Sequence, residues 1–208
     1  MNPFATFSGR AGSDRSEVAV DEDQSLMLRF RDGDEEAFVQ LYRTHRDRIV
    51  AFTTRMLGSS AMGEEAAQDV FLKLYGARER YQPSARFLTY LYRIATRHCL
   101  NLKDRHSYRK TQSGLDSERE KSAHPRPDDE TRREELRRSL RHALAKLPDK
   151  QRAALVLVHY EGLSYREAAE SLKVSESALK SLIHRARRQA TEWLDAELSQ
   201  PMEFEHAM

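Results

Sequence analysis

Apolar residues recur along most of the chain at spacings of three, four and seven positions, which is the periodicity of amphipathic α-helices. Gly33, Gly58, Pro83, Pro148 and Gly162 interrupt this pattern, and each falls between two helical stretches. No stretch favours a β-strand, so the sequence predicts an all-α fold. The predicted helices are a short one from Asp23, then Asp34–Leu57, Gly63–Arg78, Phe87–Arg105, Asp129–Leu147 and Gln151–Tyr160, followed by a final pair.

The stretch Glu161–Ala190 has the pattern of two helices joined by a tight turn. Ser164 and Glu167 have the spacing of a capping box, which favours the start of a helix. Leu172–Val174 form the predicted turn, and Ser175 is placed to cap the second helix. The apolar stripe of that second helix consists of Leu179, Leu182, Ile183 and Ala186.

The other face of the second helix is basic and rich in hydroxyl groups. It carries Ser177, Lys180, Ser181, His184, Arg185, Arg187 and Arg188. A short helix braced by another helix, with such a face, fits the major groove of DNA. The alternative is an ordinary helical hairpin whose basic face is simply solvated.

Three segments lack the helical periodicity and divide the chain. Residues 1–22 are polar and are predicted to be a disordered N-terminal extension. Residues 106–130 mix serine, glycine and proline with charged residues, and predict a flexible linker that could begin by continuing the preceding helix. Residues 199–208 form a short C-terminal tail. The sequence therefore predicts two small helical domains, 23–105 and 131–198, joined by a flexible linker.

The predicted helix Phe87–Arg105 mixes aromatic and basic residues beside a polar loop, Tyr81–Arg86. Its predicted buried stripe is Phe87, Leu91, Ile94, Ala95, Cys99 and Leu102, and its other faces carry Tyr90, Arg93, Arg97, His98, Asn101 and Arg105. Aromatic rings stack on bases and cations follow phosphates, so the combination suits single-stranded nucleic acid. The alternative is that the aromatic residues fill a core and the arginines form a solvated face.

Charge is segregated along the chain, although the formal net charge is only +2. Residues 86–110 hold seven basic residues and one acidic residue, whereas residues 192–208 hold five acidic residues and no lysine or arginine. Such segregation indicates a polyanion as the partner of the basic parts. Residues 1–36 hold nine acidic residues against four basic ones. We expect the two acidic ends to aid solubility.

Several classes of protein are disfavoured by what the sequence lacks. Cys99 is the only cysteine, which excludes an internal disulfide and a cysteine metal cluster and favours a reducing cytosol. The longest apolar run, Ala153–Val158, is far shorter than the ~20 residues of a membrane helix, and no signal peptide is predicted. No metalloprotease, Walker or nucleophile-elbow motif occurs. We therefore expect no enzyme, no metal, no cofactor and no membrane insertion.

Ordered motifs in both halves carry a family resemblance. The second half reads LPDKQRAALVL, EGLSYREAAESL and KSLIHRAR, and the first half reads EAAQDVFLKLY and FLTYLYRIATR. In this order, with a linker between two helical halves, they resemble the extracytoplasmic-function (ECF, group 4) sigma factors of the sigma-70 family. The resemblance covers about residues 23–198, and implies sigma region 2 in the first domain and the helix-turn-helix of sigma region 4 in the second.

The resemblance implies an RNA polymerase sigma factor with no bond chemistry of its own. Such a protein binds core polymerase through the β′ clamp helices and the β subunit. It recognises the −35 element as duplex and the −10 element as single strand, and it promotes melting of the promoter to initiate transcription. A stress- or signal-responsive regulon, an anti-sigma factor as a partner and a cytoplasmic, nucleoid-associated location are also implied.

The resemblance assigns roles to individual residues. Contacts to the −35 element are expected from Ser164, Tyr165, Ser177, Lys180, Ser181, His184, Arg185 and Arg188. Contacts to the −10 strand are expected from Tyr81, Gln82, Ser84, Arg86, Tyr90, Arg93, Arg97, Asn101 and Arg105, where the family's loop holds a flipped-out base. Docking on core polymerase is expected from Glu65, Gln68, Asp69 and Phe71, as carboxylates around a partly exposed apolar anchor.

Five positions depart from the family's usual pattern. Lys173 stands where glycine is usual, and a positive φ there would cost ~1–2 kcal/mol. Leu182 stands where arginine is usual, and Ala178 where threonine is common. In the first half, Tyr90 replaces tryptophan and Arg97 replaces a frequent asparagine. These departures bear on the promoter sequence that is preferred and not on the class of protein.

A conventional helix-turn-helix regulator is the alternative function. In that case residues 23–105 would be a sensor or dimerisation domain, and the chain would bind duplex DNA without polymerase. The acidic helix Glu64–Tyr75 beside an aromatic loop favours the sigma factor instead. In either case residues 199–208 are expected to be dispensable.

Overall fold

The structure, a computed structural model, describes residues 16–113 and 139–198. Its helices are α1 (Ser16–Arg31), α2 (Glu35–Leu57), α3 (Ser60–Gly76), α4 (Phe87–Ser113), α5 (residues 139–146), α6 (Asp149–Leu155), α7 (Tyr165–Leu172) and α8 (Glu176–Leu198). A 3-10 turn, Arg78–Arg80, follows α3, and a π-helical turn, Val156–Tyr160, continues α6. No strand occurs within these two ranges. The predicted all-α fold is confirmed.

Helix α1 begins earlier than the sequence pattern predicts. It starts at Ser16, so the prediction of disorder over residues 1–22 is wrong for residues 16–22. The segment from Ser16 to Asp23 contains alanine and several acidic residues, and acidic groups are favourable in the first turns of a helix because of its dipole. Its polar composition is therefore compatible with a helix. Residues 1–15 lie outside the described residues.

Helix α4 continues beyond its predicted end at Arg105 to Ser113, through the first part of the predicted linker. The rest of that linker, residues 114–130, lies outside the described residues. So do the start of the predicted helix Asp129–Leu147 and the tail at 199–208. The two helical halves on either side are called the first lobe (α1–α4) and the second lobe (α5–α8).

Capping residues explain where α2 begins and ends and where α3 begins. Asp34 caps α2, since its side chain accepts hydrogen bonds from the backbone N–H groups of Glu36 at 3.1 Å and Ala37 at 3.3 Å. Gly58 ends α2 with a φ of 80°, a left-handed conformation that glycine adopts at little cost. Ser59 then caps α3. The predicted break between these helices is confirmed.

The first lobe packs its helices around an apolar core in which α2 and α3 approach closely. The core side chains include Met27, Phe30, Leu41, Ile49, Phe52, Val70, Leu74, Phe87, Leu91 and Tyr92. Gly63 of α3 sits against Thr54 of α2: an added Cβ would lie 2.8 Å from the Thr54 Cα. Only glycine fits this contact without movement of the backbone.

The two lobes pack directly against each other. Helix α7 of the second lobe lies on α4 of the first, and α6 also contacts α2 and α4. Buried apolar side chains of both lobes form one continuous cluster, from Phe52 and Leu91 in the first to Leu155 and Leu163 in the second. The described lobes therefore share a core in this arrangement, which their sequence patterns did not predict.

Candidate nucleic-acid interface

The helix-turn-helix of α7 and α8 begins with the predicted capping box. The Ser164 hydroxyl accepts a hydrogen bond from the Glu167 N–H at 3.3 Å, and the Glu167 carboxylate accepts one from the Ser164 N–H at 2.8 Å. Two N–H groups at the start of α7 are thereby satisfied. Ser164 is exposed and Tyr165 is half-buried, at a helix N-terminus that favours an anion such as phosphate.

The turn between the two helices has the conformation that usually requires glycine. Lys173 has φ 54° and ψ 47°, in the left-handed region. Its N–H bonds to the Glu170 carbonyl at 3.1 Å, and the next N–H, of Val174, bonds to the Ala169 carbonyl at 3.0 Å. These bonds close the end of α7 and hold Lys173 in a conformation that costs ~1–2 kcal/mol for a residue with a Cβ.

Helix α8 presents the predicted −35 residues on one exposed face. Ser175 caps the helix by accepting the Ala178 N–H at 3.2 Å, as predicted. The buried side is formed by Leu179, Ile183, Ala186 and Ala190. The exposed side carries Ser177, Lys180, Ser181, His184, Arg185 and Arg188, at helical steps of three and four.

Contacts within α8 fix part of this face. Arg185 donates to the Ser181 carbonyl at 3.2 Å, and Arg188 pairs with Glu192 at 3.6 Å. Arg187 bonds instead to His159 Nε2 at 2.6 Å, and so supports the π-helical turn before α7. Burial, and then the nearby Arg187 charge, lower the pKa of His159, so the neutral imidazole accepts this bond.

The predicted −10 residues divide into exposed and covered groups. Gln82, Ser84, Arg97, Asn101 and Arg105 are exposed, and Arg86, Tyr90 and Arg93 are half-buried. The Arg93 guanidinium lies 5.2 Å from the centre of the Tyr90 ring. This pairing of a cation with a partly accessible ring can bind both a base and its phosphate.

Tyr81 is not available to the −10 strand in this structure, contrary to its predicted role. It is only 1% exposed, and its ring packs edge-on against Tyr90 with centroids 5.0 Å apart. Burial, together with the nearby Tyr90, raises the pKa of Tyr81 to about 12, so the phenol stays neutral. The role of Tyr81 was implied by the resemblance, which assigns the whole loop to the −10 strand, but an aromatic ring at the edge of a loop gains more by filling the core.

His98 is also buried, although the helical pattern placed it on an outer face. Its Nε2 lies 3.1 Å from a carboxylate oxygen of Asp69, which joins α4 to α3. Burial lowers the pKa of His98, with the Lys73 charge acting in the same direction and Asp69 opposing it. Asp69, which was predicted to contact polymerase, is thus partly engaged with a histidine of the first lobe.

The predicted polymerase-docking helix, α3, exposes a different apolar residue from the one expected. Glu65 and Gln68 are exposed, but Phe71 is only 3% exposed and packs edge-on against Tyr42 with centroids 4.9 Å apart. The expectation that Phe71 is a partly exposed anchor is wrong. The adjacent Leu72 is 69% exposed, and the position of exposed apolar residues could have been found from the helical register.

Two of the arginines predicted to bind DNA pair with acidic residues of α7. Arg86 donates to Glu167 at 3.0 Å, and Arg93 lies 3.8 Å from Glu170. Burial alone would raise the pKa of Glu167, but hydrogen bonds from Ser164 and the pairing with Arg86 outweigh it and lower that pKa. The carboxylate is therefore charged at neutral pH, and the arginine side chains point at α7.

Glu161 joins the lobes through a buried cluster just before α7. It is 4% exposed, and its carboxylate accepts hydrogen bonds from Arg55 at 3.1 Å and the Tyr92 hydroxyl at 2.5 Å. Arg48 donates to its backbone carbonyl at 2.7 Å. Burial and the Glu161 charge raise the pKa of Tyr92, which therefore remains a hydrogen-bond donor.

Arg152 is a second buried charge that sequence reasoning missed. It is 2% exposed, and it donates to the carbonyls of Leu144, Ala145 and Leu147 at the end of α5 and of Met56 at the end of α2. The only sequence signal was its place in the LPDKQR motif. A guanidinium with five donors satisfies carbonyls that helix ends leave open.

Among the side chains that the structure describes, no group of three or more histidine, cysteine, aspartate or glutamate residues is arranged to hold a metal ion. None of the described helices combines the length and the apolarity that crossing a bilayer requires.

Comparisons with known proteins match both lobes. The family model of sigma-70 region 2 matches residues 41–109, and that of sigma-70 region 4 matches residues 137–189. RNA polymerase sigma factor CarQ of Myxococcus xanthus is 33% identical over 169 residues, which are 81% of this chain and 95% of that protein. ECF RNA polymerase sigma factor SigW of Bacillus subtilis is 31% identical over 166 residues, which are 74% of this chain and 87% of that protein.

A solved structure shares the fold. The chain is similar to CnrH in its complex with the cytosolic domain of CnrY, with a TM-score of 0.65 and 28% sequence identity. The similarity covers 85% of this chain and 99% of that one.

Proposed function

Because the chain belongs to the ECF sigma factors of the sigma-70 family, we propose that it binds core RNA polymerase and directs it to promoters with a −35 and a −10 element. It promotes melting of the −10 region and performs no bond chemistry itself. The single observation that carries this proposal is sequence similarity to sigma factors across both lobes, in order. A stand-alone regulator is not favoured, because such a protein has no need of region 2.

Helix α8 contacts the −35 element in the major groove. The support is its exposed face of lysine, serine, histidine and arginine, opposite a well-buried apolar stripe. Arg185 or Lys180 could bind a guanine edge, and a bidentate contact is worth ~1–3 kcal/mol of discrimination. Ser164 and Tyr165, at the start of α7, position the unit on the phosphates.

Helix α4 and the loop before it hold the opened −10 strand. Arg97, Asn101 and Arg105 continue along the exposed side of α4 and follow the backbone of the strand. Tyr90 stacks on a base, with Arg93 and Arg86 beside it, and Gln82 and Ser84 hold a flipped-out base. Flipping costs a few kcal/mol, so a protein pocket that accepts the base traps the melted state. Tyr81 supports Tyr90 from the core.

Helix α3 docks on the β′ clamp helices of core polymerase, and the second lobe contacts the β subunit. Glu65, Gln68 and Asp69 offer polar contacts, and Leu72 is the exposed apolar residue among them. An apolar residue surrounded by carboxylates suits a partner with a basic, partly apolar helix pair.

A cytoplasmic location, an anti-sigma partner and a stress- or signal-responsive regulon complete the proposal. Support for the partner comes from CnrH, which was solved with the cytosolic domain of CnrY. Binding of such a partner across both lobes would prevent polymerase from reaching them.

Run-off transcription with purified core polymerase and a promoter library tests the function. The wild-type chain is expected to stimulate transcription from a subset of promoters. The double variant K180A/R185A should lose −35-dependent promoters, whereas K150A, an exposed lysine of α6, should retain them. No stimulation from any library member would refute the proposal.

A further inference from the structure

The loop of residues 81–86, called here the −10 loop, is anchored from α1. Tyr81 at its start and Phe87 just after it are each 1% exposed, so the chain enters and leaves the loop through the core. Between these two points, the side-chain amide of Gln24 donates a hydrogen bond to the Ala85 carbonyl at 2.9 Å. A helix 61 positions earlier in the chain therefore holds the backbone of the −10 loop.

Helix α1 is itself fixed at the turn that carries Gln24. The carboxylate of the neighbouring Asp23 lies 3.0 Å from Nε2 of His45 on α2, and His45 is buried. The centre of the His45 ring is 5.4 Å from that of Phe87, the first residue of α4. On the apolar side of α1, Met27 is fully buried. The Gln24 donor thus belongs to a helix that is held from two sides, and it gives the loop a fixed point.

The tip of the −10 loop is a tight turn that moves as one unit. The Ser84 N–H donates to the Gln82 carbonyl at 2.8 Å, and the ring of Pro83 between them restricts its φ. Ala85 follows Ser84 directly, so the position of the Ala85 carbonyl determines where Gln82 and Ser84 lie. These two exposed side chains are the ones proposed to hold the flipped-out base.

We infer that Gln24 is a positioning residue: by anchoring the Ala85 carbonyl, it places Gln82 and Ser84 so that they select the flipped-out base. Polar groups that discriminate between ligands must be held within about 0.5 Å of the productive position. An amide suits this role, because it donates to a carbonyl and carries no charge that would repel the phosphates of the strand. The inference rests on the proposed function for the identity of the base, whereas the anchor is a contact within the first lobe.

The variant Q24M removes the amide donor and keeps the length and the helix propensity of the side chain. One neutral hydrogen bond changes an equilibrium by a factor of about two to ten. The preference for the best base over the others at the flipped position should therefore fall by about two- to tenfold in Q24M. Q24E, which replaces the donor with an acceptor, should lose at least as much. Q40M, at an exposed glutamine of α2, should keep the wild-type preference.

Sequencing of transcripts from a promoter library randomised at both elements gives these preferences. Each full-length variant is combined with core polymerase and transcribes the same library. In Q24M the preference should fall within the −10 motif, while the preferences at −35 stay at the wild-type values. An equal fall at every position of both motifs would indicate a general loss of structure and would overturn the positioning role. A Q24M profile equal to that of Q40M would overturn it as well.

Hydrogen exchange on the full chain tests the anchor without polymerase. Peptides that cover residues 82–90 should exchange about two- to tenfold faster in Q24M than in the wild type, because one bond that holds the loop is lost. Peptides of α8 should be unchanged in both variants. Equal exchange of the loop in Q24M and Q40M would overturn the inference. If the loop loosens in Q24M but the wild type never stimulates transcription, the proposed function fails and the anchoring of the loop by Gln24 stands.

Discussion

The buried guanidinium of Arg152 gives the most quantitative prediction about stability. Its Nε donates to the Leu144 carbonyl at 2.7 Å, and its Nη2 donates to the carbonyls of Ala145 at 2.5 Å and Leu147 at 3.0 Å. Its Nη1 donates to the Met56 carbonyl at 2.6 Å. One side chain therefore closes the C-terminal end of α5 and joins it to the end of α2.

Replacing Arg152 with methionine, an apolar side chain of comparable length, leaves four carbonyls without this donor. The Leu144 carbonyl keeps a hydrogen bond from the Leu147 N–H at 3.2 Å, so three carbonyls lose their donor. A buried unsatisfied group costs ~1–3 kcal/mol, so the three together set an upper limit of roughly 3–9 kcal/mol. Two effects reduce the loss. Water can enter beside the partly buried Ala145 bond, and the variant no longer buries a charge, whose desolvation already lowers the pKa of Arg152. We expect R152M to lose about 3–5 kcal/mol of unfolding free energy.

Urea unfolding followed by circular dichroism measures this loss. Since small domains are stable by about 5–15 kcal/mol, R152M could be largely unfolded. R152K is therefore included as a milder substitution. Lysine keeps the charge but cannot span four carbonyls, so R152K should lose about 1–3 kcal/mol. R166M, at an exposed arginine of α7, should change stability by less than about 0.5 kcal/mol. An R152M loss below about 1 kcal/mol with an unchanged m-value would refute this reasoning.

Three further predictions concern individual positions. K173G should stabilise the chain by about 0.5–1 kcal/mol, because glycine adopts a φ of 54° without strain, and this gain exceeds the cost of the extra conformational entropy that glycine has in the unfolded chain. A lower urea midpoint would contradict this. G63A should destabilise by about 1–3 kcal/mol through contact with the Thr54 backbone, with G76A, where a Cβ meets nothing, as the control. The pKa of His159 is lowered in the folded chain, so as pH falls the unfolded chain binds a proton at this histidine at a higher pH than the folded chain does. Stability should therefore fall as pH drops below the ordinary value of 6.5, and less so in H159Q, as urea midpoints across that range would show.

Local features were predictable because their causes lie within a few residues of one another. The capping box of Ser164 and Glu167 needs only a three-residue spacing, and the break at Gly58 needs only a residue tolerant of positive φ. The strain at Lys173 followed from a single substitution in a known turn. The exposed face of α8 could be predicted from the helical spacing of its apolar residues.

Features that depend on packing between distant segments were not predictable. Tyr81 and His98 have polar neighbours in sequence, yet core partners from other helices bury them. Arg152 is buried because two helix ends converge on it, and no local pattern marks that convergence. Glu161 meets Arg55 across 106 positions. The contact between the lobes is therefore visible only in the structure and could not be predicted from the sequence.

The central claim, that two helical lobes act on one promoter while bound to polymerase, is tested most directly by sequencing the 5′ ends of transcripts made from a random promoter library. With core polymerase and the wild-type chain, start sites should share two motifs, one at −10 and one at −35. K180A/R185A should change the requirement for the upstream motif alone. Starts that share no motif, or a transcript set identical to that of core polymerase by itself, would contradict the claim.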